Sequence, residues 1–331
     1  MIGVSRRTVL GGLAALSAPR IARAQAKKFK IFQITYRGET DVERGFRDYL
    51  QQRGIDVEII SRSAELDPSR VPSILEELRA AKPDLVYTWG TPVTLATYGK
   101  AEDPDPAKYI TDIPGVFTMV STPVKAGVVP SRASSGRNIT GTSHVVPAEP
   151  QLRAMEAYRP FQRLGVLYTP TEQNSNAIVA DLRSMQEAMN FKLLERTFEI
   201  GADGKPSAAT APELVAELAE EGAEWLYYLP DTFLSQNIEQ VAPAATAHAL
   251  PGFSAVELLQ RSALISLVSR YYSLGQLTAY KAEQILVEGV APDAIPIETL
   301  ERFALIINMP LAREMKLYPP LGMLSYANVL T

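Results

Sequence analysis

Residues 29–60 read FKIFQITYRGETDVERGFRDYLQQRGIDVEII and contain the unit that the rest of the chain repeats. The apolar run at 29–35 has the length of a strand. Residues 41–53 then carry apolar side chains at helical spacing, and Gly54 provides a helix stop. Residues 56–60 follow as a second strand. The pattern predicts a strand–helix–strand unit in this region.

Strand and helix continue to alternate beyond this unit, and the order of the first half recurs in the second half. In the first half we predict a helix at 68–80 and strands at 85–89 and 115–120. In the second half we predict strands at 164–168, 191–198 and 225–229, and helices at 174–189 and 212–221. The spacing between equivalent positions of the two halves varies along the chain, so the fold is repeated rather than the sequence.

Repeated strand–helix units form parallel sheets that are covered by helices on both faces. We therefore predict an α/β protein with two doubly wound parallel-sheet lobes joined by hinge crossovers. The expected first lobe is 27–144, with roughly 267–300 returning to it. The expected second lobe is 145–266, with roughly 301–331 at the hinge and this lobe.

The last third of the chain, residues 263–331, has no counterpart in the repeat. It contains predicted strands at 264–268 and 303–308 and a predicted helix at 275–288. We expect this segment to cross back between the lobes and to form further strands at the hinge.

The first 26 or so residues have the features of a bacterial signal peptide of the twin-arginine type. Paired arginines at 6–7 precede a weakly apolar run at 9–18, which is far shorter than the ~20 residues that span a bilayer. Small residues then predict cleavage near Ala24 or Ala26. A disordered basic tail is the alternative, but charge, apolar run and cleavage motif stand in the order of an export signal.

The composition excludes several classes of function. The chain has no cysteine, which removes disulfides, thiolate metal sites and the N-terminal cysteine of a lipid anchor. Loss of the four arginines of the predicted leader would make the formal charge of −4 more negative still. An acidic chain without a basic cluster is not expected to bind nucleic acid. We expect a protein that is free in the periplasm.

Candidate ligand-binding residues follow the predicted strands, because ligands of open α/β sheets bind beyond the carboxyl ends of the strands. In two facing lobes these ends meet at one cleft. In the first half the candidates are Tyr36, Thr91, Ser121 and Thr122. We expect Thr91 to be a helix N-cap whose neighbouring amides could hold a carboxylate. Taken singly, each of the four is as readily an ordinary cap, turn or core residue.

The candidates of the second half are Asn174, Ser175, Asp231 and Arg270. Asn174 and Ser175 could present polar groups to a ligand or only cap their helix. Asp231 could pair with a ligand amine or cap the next helix. Arg270 could hold a carboxylate through its two-pronged guanidinium or be a solvated hinge residue.

No catalytic constellation stands out in the sequence. The only histidines are His144 and His248, too few for most metal sites, and we expect His144 to be a hydrogen-bonded residue of the first crossover. The chain has no G-x-S-x-G elbow, no P-loop and no G-x-G-x-x-G after a strand. We predict no catalysis, no metal site and no cofactor.

Five stretches together resemble a known family. They are IPGVFTMVSTPVKAGVV at 113–129, RNITGTS at 137–143, LGVLYTPTEQNS at 164–175, YYSLG at 271–275 and IINMPLA at 306–312. The chain resembles the ABC transporter substrate-binding proteins of the tryptophan/tyrosine-binding type, over nearly all of its mature length. The resemblance implies a two-lobed, type I periplasmic-binding fold that closes on a small ligand.

The resemblance also implies where the ligand lies. The family's ligand positions would fall on Thr91, Ser121, Thr122, Asn174, Ser175 and Asp231. The chain departs from the family at two places. It has Ser121-Thr122 where the family usually has Thr-Asp, and Arg270 where the family often has an acidic residue. One acid is lost and one base gained, which suggests a more anionic ligand than a neutral amino acid.

We therefore predict the periplasmic solute-binding component of an ABC importer. It would capture a small polar or carboxylate-bearing molecule, related to amino acids, by hinge closure. It would act as a monomer and deliver this ligand to a membrane permease. A periplasmic α/β enzyme with a cleft active site is the alternative. A sugar-type transcription regulator shares the fold but needs a DNA-binding helix pair where this chain has an export signal.

Overall fold

A computed structural model describes residues 27–331 of the chain. The predicted leader at 1–26 and its two cleavage positions lie outside the described residues. Among residues 27–331, no helix has both the length and the apolar character needed to cross a membrane.

The first sheet has five parallel strands in the order β2-β1-β3-β4-β5. Its elements are β1 (Phe29–Thr35), α1 (Asp41–Gln52), β2 (Val57–Ser63), α2 (Val71–Ala81), β3 (Leu85–Trp89), α3 (Thr91–Tyr98), β4 (Gly115–Thr118) and β5 (Ile139–Gly141). The helix α1 begins where it does because Thr40 and Glu43 form a reciprocal capping box. This sheet and its helices are called the first lobe below.

The second sheet has seven strands in the order β14-β13-β12-β11-β10-β6-β7. Its elements begin with α4 (Ala148–Tyr158), β6 (Arg163–Tyr168), α5 (Gln173–Met189), β7 (Lys192–Thr197), a small hairpin of β8 (Glu199–Ile200) and β9 (Pro206–Ser207), α6 (Ala211–Glu220), β10 (Trp225–Tyr228) and α7 (Thr232–Gln236). They continue with α8 (Ile238–Ala247), β11 (Gly252–Ser254), β12 (Ile265–Val268), α9 (Tyr271–Leu286), β13 (Ala304–Asn308), α10 (Met309–Glu314), α11 (Leu321–Leu324) and β14 (Asn328–Leu330). This sheet, with all of these helices except α9, is called the second lobe.

The predicted fold class is confirmed: both sheets are parallel and carry helices between their strands, apart from the antiparallel pairing of β12 with β13. The strands at 264–268 and 303–308 are part of the second sheet, where Ile265, Ile306 and Ile307 are fully buried. This agrees with the expected place of 301–331 at the second lobe but not with further strands at the hinge. The last long helix begins at Tyr271, four residues before the predicted start.

The helix α9 leaves the second lobe and packs on α1 of the first. The two backbones touch at paired glycines: a Cβ on Gly45 would lie 2.0 Å from the carbonyl oxygen of Tyr272, and one on Gly275 would lie 2.0 Å from that of Val42. Glu283 of α9 then accepts hydrogen bonds from Tyr49, at 2.7 Å, and from Arg53, at 2.8 and 2.9 Å. Apolar residues of α9 are therefore part of the core of the first lobe.

Three connections join the lobes, at 142–147, 269–270 and 287–303. The first and third lie side by side, because the amide of Ser143 donates to the carbonyl of Glu298 at 2.8 Å. The hydroxyls of Thr118, Thr142 and Thr278 bond to one another where β4, the first connection and α9 meet. These bonds tie the first connection to the first lobe and to the third connection.

Candidate functional site

A cavity lies between the carboxyl ends of the two sheets, where the predicted cleft was expected. From the first lobe it is lined by Tyr36, Arg37, Trp89, Gly90, Thr91, Pro92, Met119 and Ser121. From the second lobe and the hinge it is lined by His144, Asn174, Pro230, Asp231, Thr232, Ser235, Val256, Leu258 and Tyr271. Its volume of about 50 Å³ is room for about three to five water molecules.

Five of the eight candidate residues line this cavity: Tyr36, Thr91, Ser121, Asn174 and Asp231. Ser175 lies behind the wall and donates to Asp231 at 2.8 Å. The hydroxyl of Thr122 is buried beside Ser121, with no hydrogen-bond partner in the described part of the chain. Strand order thus brings most of the candidates together from distant parts of the sequence.

Arg270 is not in the cavity. Its guanidinium donates to Glu257 at 2.8 Å, and the other oxygen of Glu257 accepts the amide of Tyr271 at 2.6 Å. The pair holds the beginning of α9, and the arginine side chain is 39% exposed. Its positive charge is therefore already matched by a carboxylate of the protein.

Thr91 was expected to cap α3, but the capping residue is Gly90. Gly90 has φ of +88°, a left-handed conformation that glycine adopts without a steric penalty. Thr91 is instead the first helical residue, so its side chain and amide stand at the helix start that faces the cavity. Met119 has φ of +56° and also lines the cavity, and such strain in a non-glycine residue is often found at ligand sites.

Asp231 is almost fully buried and accepts four hydrogen bonds. One oxygen accepts the amide of Leu234 at 2.8 Å, which caps α7, and the hydroxyl of Thr169 at 2.9 Å. The other accepts the amide of Thr169 at 2.7 Å and the hydroxyl of Ser175 at 2.8 Å. A carboxylate offers about four such positions, so the protein occupies all of them and the capping role of Asp231 is established.

Glu172 is a second carboxylate next to Asp231, behind the residues that line this wall, and sequence reasoning did not single it out. It accepts the amides of Thr232 at 2.9 Å and Phe233 at 3.0 Å. Burial and the neighbouring charge of Asp231 raise the pKa of Glu172 to about 7. Neither carboxylate has a basic ion-pair partner within residues 27–331. The second-lobe wall therefore carries negative charge that a ligand cation would offset.

Arg37, Trp89 and His144 form a cluster on the opposite wall, and sequence analysis did not recognise it. The Arg37 guanidinium carbon lies 5.2 Å from the centre of the Trp89 ring. Arg37 Nε, Trp89 Nε1 and His144 Nδ1 are all buried without a hydrogen-bond partner in the described residues. Leaving a buried polar group without a hydrogen bond is unfavourable by about 1–3 kcal/mol for each group.

The expectation that His144 would be a hydrogen-bonded hinge residue was thus wrong for Nδ1. Burial, together with the charge of Arg37, lowers the pKa of His144 to about 3. The ring is neutral at ordinary pH, and a neutral imidazole has one donor and one acceptor nitrogen. No group of three or more His, Asp or Glu suited to a metal ion occurs within residues 27–331.

The sequence and the fold match those of known proteins. The chain matches the family of ABC transporter substrate binding proteins over residues 32–329. It is 26% identical over 292 residues to a tyrosine-binding protein of Clostridioides difficile strain R20291, covering 85% of this chain and 79% of that protein. These matches confirm the resemblance to the tryptophan/tyrosine-binding type.

Two solved structures have a similar fold. One is a conserved domain protein from Vibrio cholerae, with a TM-score of 0.79 and 25% identity, covering 92% of this chain and 100% of that chain. The other is an ABC domain from Streptococcus pneumoniae in complex with L-Trp, with a TM-score of 0.75 and 22% identity, covering 91% and 100%. The predicted type I periplasmic-binding fold is confirmed. The match over residues 32–329 shows that this chain belongs to the ABC transporter substrate-binding proteins, which are binding proteins and not enzymes.

Proposed function

We propose that this protein is the periplasmic receptor of an ABC importer and that it captures an amino acid by closing its two lobes. The observation that carries the proposal is the polarity of the cavity between the lobes. One wall carries Asp231, and Glu172 lies behind this wall on the amides of Thr232 and Phe233; neither has a basic partner among the described residues. The other wall offers hydroxyls and the start of α3. A zwitterion matches this arrangement.

The ammonium group of the ligand would lie at the second-lobe wall. Asp231 already uses its lone pairs inside the protein, so it would act mainly through its charge. Glu172 lies beside it and Asn174 lines the cavity. The Asn174 amide nitrogen donates to the carbonyl of Pro230 at 2.6 Å. The amide oxygen of Asn174 therefore points away from that carbonyl. An ammonium has three donors to share among such acceptors.

The carboxylate of the ligand would lie at the first-lobe wall. Thr91 and Ser121 line this wall with hydroxyl groups. The amides at the start of α3 add hydrogen-bond donors and the positive end of the helix dipole. Relatives support the same class of ligand, because one is named a tyrosine-binding protein and another was solved with L-Trp.

The lobes would open to admit the ligand and close over it. Opening would enlarge the cavity, which is about 50 Å³ in this structure, and the crossovers would provide the hinge. The closed protein, acting as a monomer in the periplasm, would then present the rims of both lobes to a membrane permease. The ligand would be released unchanged.

The experiment is to identify the bound molecule directly. The exported protein is purified, its ligand is released by unfolding, and mass spectrometry identifies it. The refolded protein is then screened with amino acids by thermal shift and calorimetry. We expect one or a few amino acids to raise the melting temperature and to be recovered unaltered.

Glu172→Gln should weaken this binding by at least tenfold, because it removes negative charge from the ammonium position. Glu220→Gln is the matched control, since Glu220 is exposed on α6. Conversion of the ligand into a product, or binding of no amino acid at all, would overturn the proposal.

A further inference from the structure

The cluster of Arg37, Trp89 and His144, called the donor cluster here, is not needed to bind a simple zwitterion. All three side chains line the cavity. Trp89 and His144 are each only 5% exposed. Each of the three has a buried nitrogen without a hydrogen-bond partner in residues 27–331. The cluster therefore requires a partner that the described residues do not supply.

The protein's own acids near Arg37 are already engaged. Glu39, two residues along the same loop, pairs with Arg47. Glu257, near Tyr271, pairs with Arg270. Within the described residues, Arg37 has no ion-pair partner. Its positive charge is thus available to a ligand, whereas that of Arg270 is not.

The chemistry of the donor cluster selects an acceptor. Arginine and the tryptophan indole can only donate hydrogen bonds, and neutral histidine can donate from one nitrogen. A carboxylate accepts several hydrogen bonds at once and pairs with the guanidinium fork. An aromatic ligand side chain would leave these nitrogens without partners. It would also find one face of the Trp89 ring covered by Arg37.

We propose that the donor cluster binds a second carboxylate of the ligand, so that the ligand is an acidic amino acid and Arg37 determines this specificity. The inference rests on the proposed function, which assigns the ammonium to the acidic wall and the first carboxylate to Thr91 and Ser121.

The test compares acidic amino acids with their neutral amides. Refolded, ligand-free protein is titrated by calorimetry with L-aspartate, L-glutamate, L-asparagine, L-glutamine, L-tyrosine and L-tryptophan. We expect one acidic amino acid to bind at least tenfold more tightly than its amide and than either aromatic amino acid. Arg37→Gln should reduce this preference to less than threefold, because affinity for the acidic amino acid should fall further than affinity for its amide.

Two further variants make the result specific. Arg62→Gln is the control, because it removes the same charge from an exposed pair with Glu77 in the first lobe; it should keep the full preference. Arg37→Lys keeps the charge but loses the planar fork, so it should keep part of the preference. Thermal melts confirm that each variant is folded.

The outcomes separate this inference from the proposed function. If neutral amino acids bind as tightly as acidic ones, or if the preference survives Arg37→Gln, the second carboxylate subsite is overturned while amino-acid capture stands. If no amino acid binds, both proposals fail.

Discussion

At the scale of single residues, the buried Asp231 and the half-buried Glu172 are neighbouring carboxylates on the second-lobe side of the cavity, and they differ in what surrounds them. Asp231 accepts four hydrogen bonds, from Thr169, Ser175 and Leu234. Glu172 has backbone donors as well, but burial and the charge of Asp231 act against its ionisation. The charge of Glu172 therefore changes near neutral pH.

The raised pKa of Glu172 predicts a pH dependence of ligand binding. The pKa of Glu172 is raised to about 7, so the free protein loses negative charge at this wall as the pH falls through that value. A ligand ammonium favours the ionised form, so affinity should rise with pH between about 6 and 8. Below the pKa it should fall by up to about tenfold per pH unit for one linked proton.

Calorimetry in buffers from pH 5.5 to 8.5 measures this profile. Glu172→Gln should flatten it, and Glu220→Gln should leave it unchanged. A profile that rises toward acid pH would contradict the assigned role of Glu172.

Asp231 is predicted to be more important for stability than for a direct ligand contact. Asp231→Asn keeps the size of the side chain but turns an NH₂ group toward buried donors such as Ser175 and the amide of Thr169. Unpaired buried donors cost about 1–3 kcal/mol each, so the free energy of unfolding should fall by about 2–4 kcal/mol. Urea denaturation measures this. Asp112→Asn, at an exposed position, should change it by less than about 0.5 kcal/mol.

At the scale of secondary-structure elements, the main feature is the contact between α1 and α9. It attaches a helix from the second half of the chain to the first lobe. Gly45 and Gly275 allow the backbones to touch, and neither position has room for a Cβ atom. The flanking bonds from Tyr49 and Arg53 to Glu283 fix the register of the two helices.

Gly275→Ala is expected to force α9 away from α1, because its Cβ would meet the backbone of Val42 rather than a movable side chain. The expected loss is about 1–3 kcal/mol, as for other overpacked sites. Differential scanning calorimetry gives the change in melting temperature. Gly322→Ala is the matched control, since nothing lies within 4 Å of its added Cβ, and it should be neutral or slightly stabilising.

At the scale of the whole molecule, an exposed ion pair connects the two lobes. Lys125, in the loop after β4, contacts Asp181 on α5 of the second lobe. Exposed pairs contribute about 0–1 kcal/mol. The pair therefore adjusts the balance between open and closed forms, while the ligand and the hinge determine it.

Lys125→Ala should accordingly weaken ligand binding by less than about fivefold, which corresponds to about 1 kcal/mol. The charge-swapped protein, Lys125→Asp with Asp181→Lys, should recover most of that loss. Calorimetry measures the affinities, and small-angle scattering should show a smaller radius of gyration with ligand than without it in all three proteins. A loss greater than tenfold would show that the pair is a main closing contact.

The alternation of strands and helices was predictable because it depends on local periodicity, and strands such as β3 agree with the prediction to the residue. The three-residue strands β5 and β14 were missed, since so short a segment has no period of its own. Thr91 and Asp231 are far apart in the sequence. They reach one cavity because each follows a strand whose carboxyl end faces that cavity. Arg37 and Arg270 both follow strands, and only the three-dimensional positions of the neighbouring acids distinguish them.

The packing of α9 against α1 also constrains the order in which the chain can fold. Tyr272 and Asp48, which are hydrogen-bonded at 2.9 Å, are separated by 224 residues. During synthesis the apolar face of α1, with Val42 and Phe46 at its centre, has no helix to cover it until residues 271–286 have been made. By then all strands of the second lobe up to β12 exist. The half of the protein that is made first is therefore completed late, and such long-range closure slows folding.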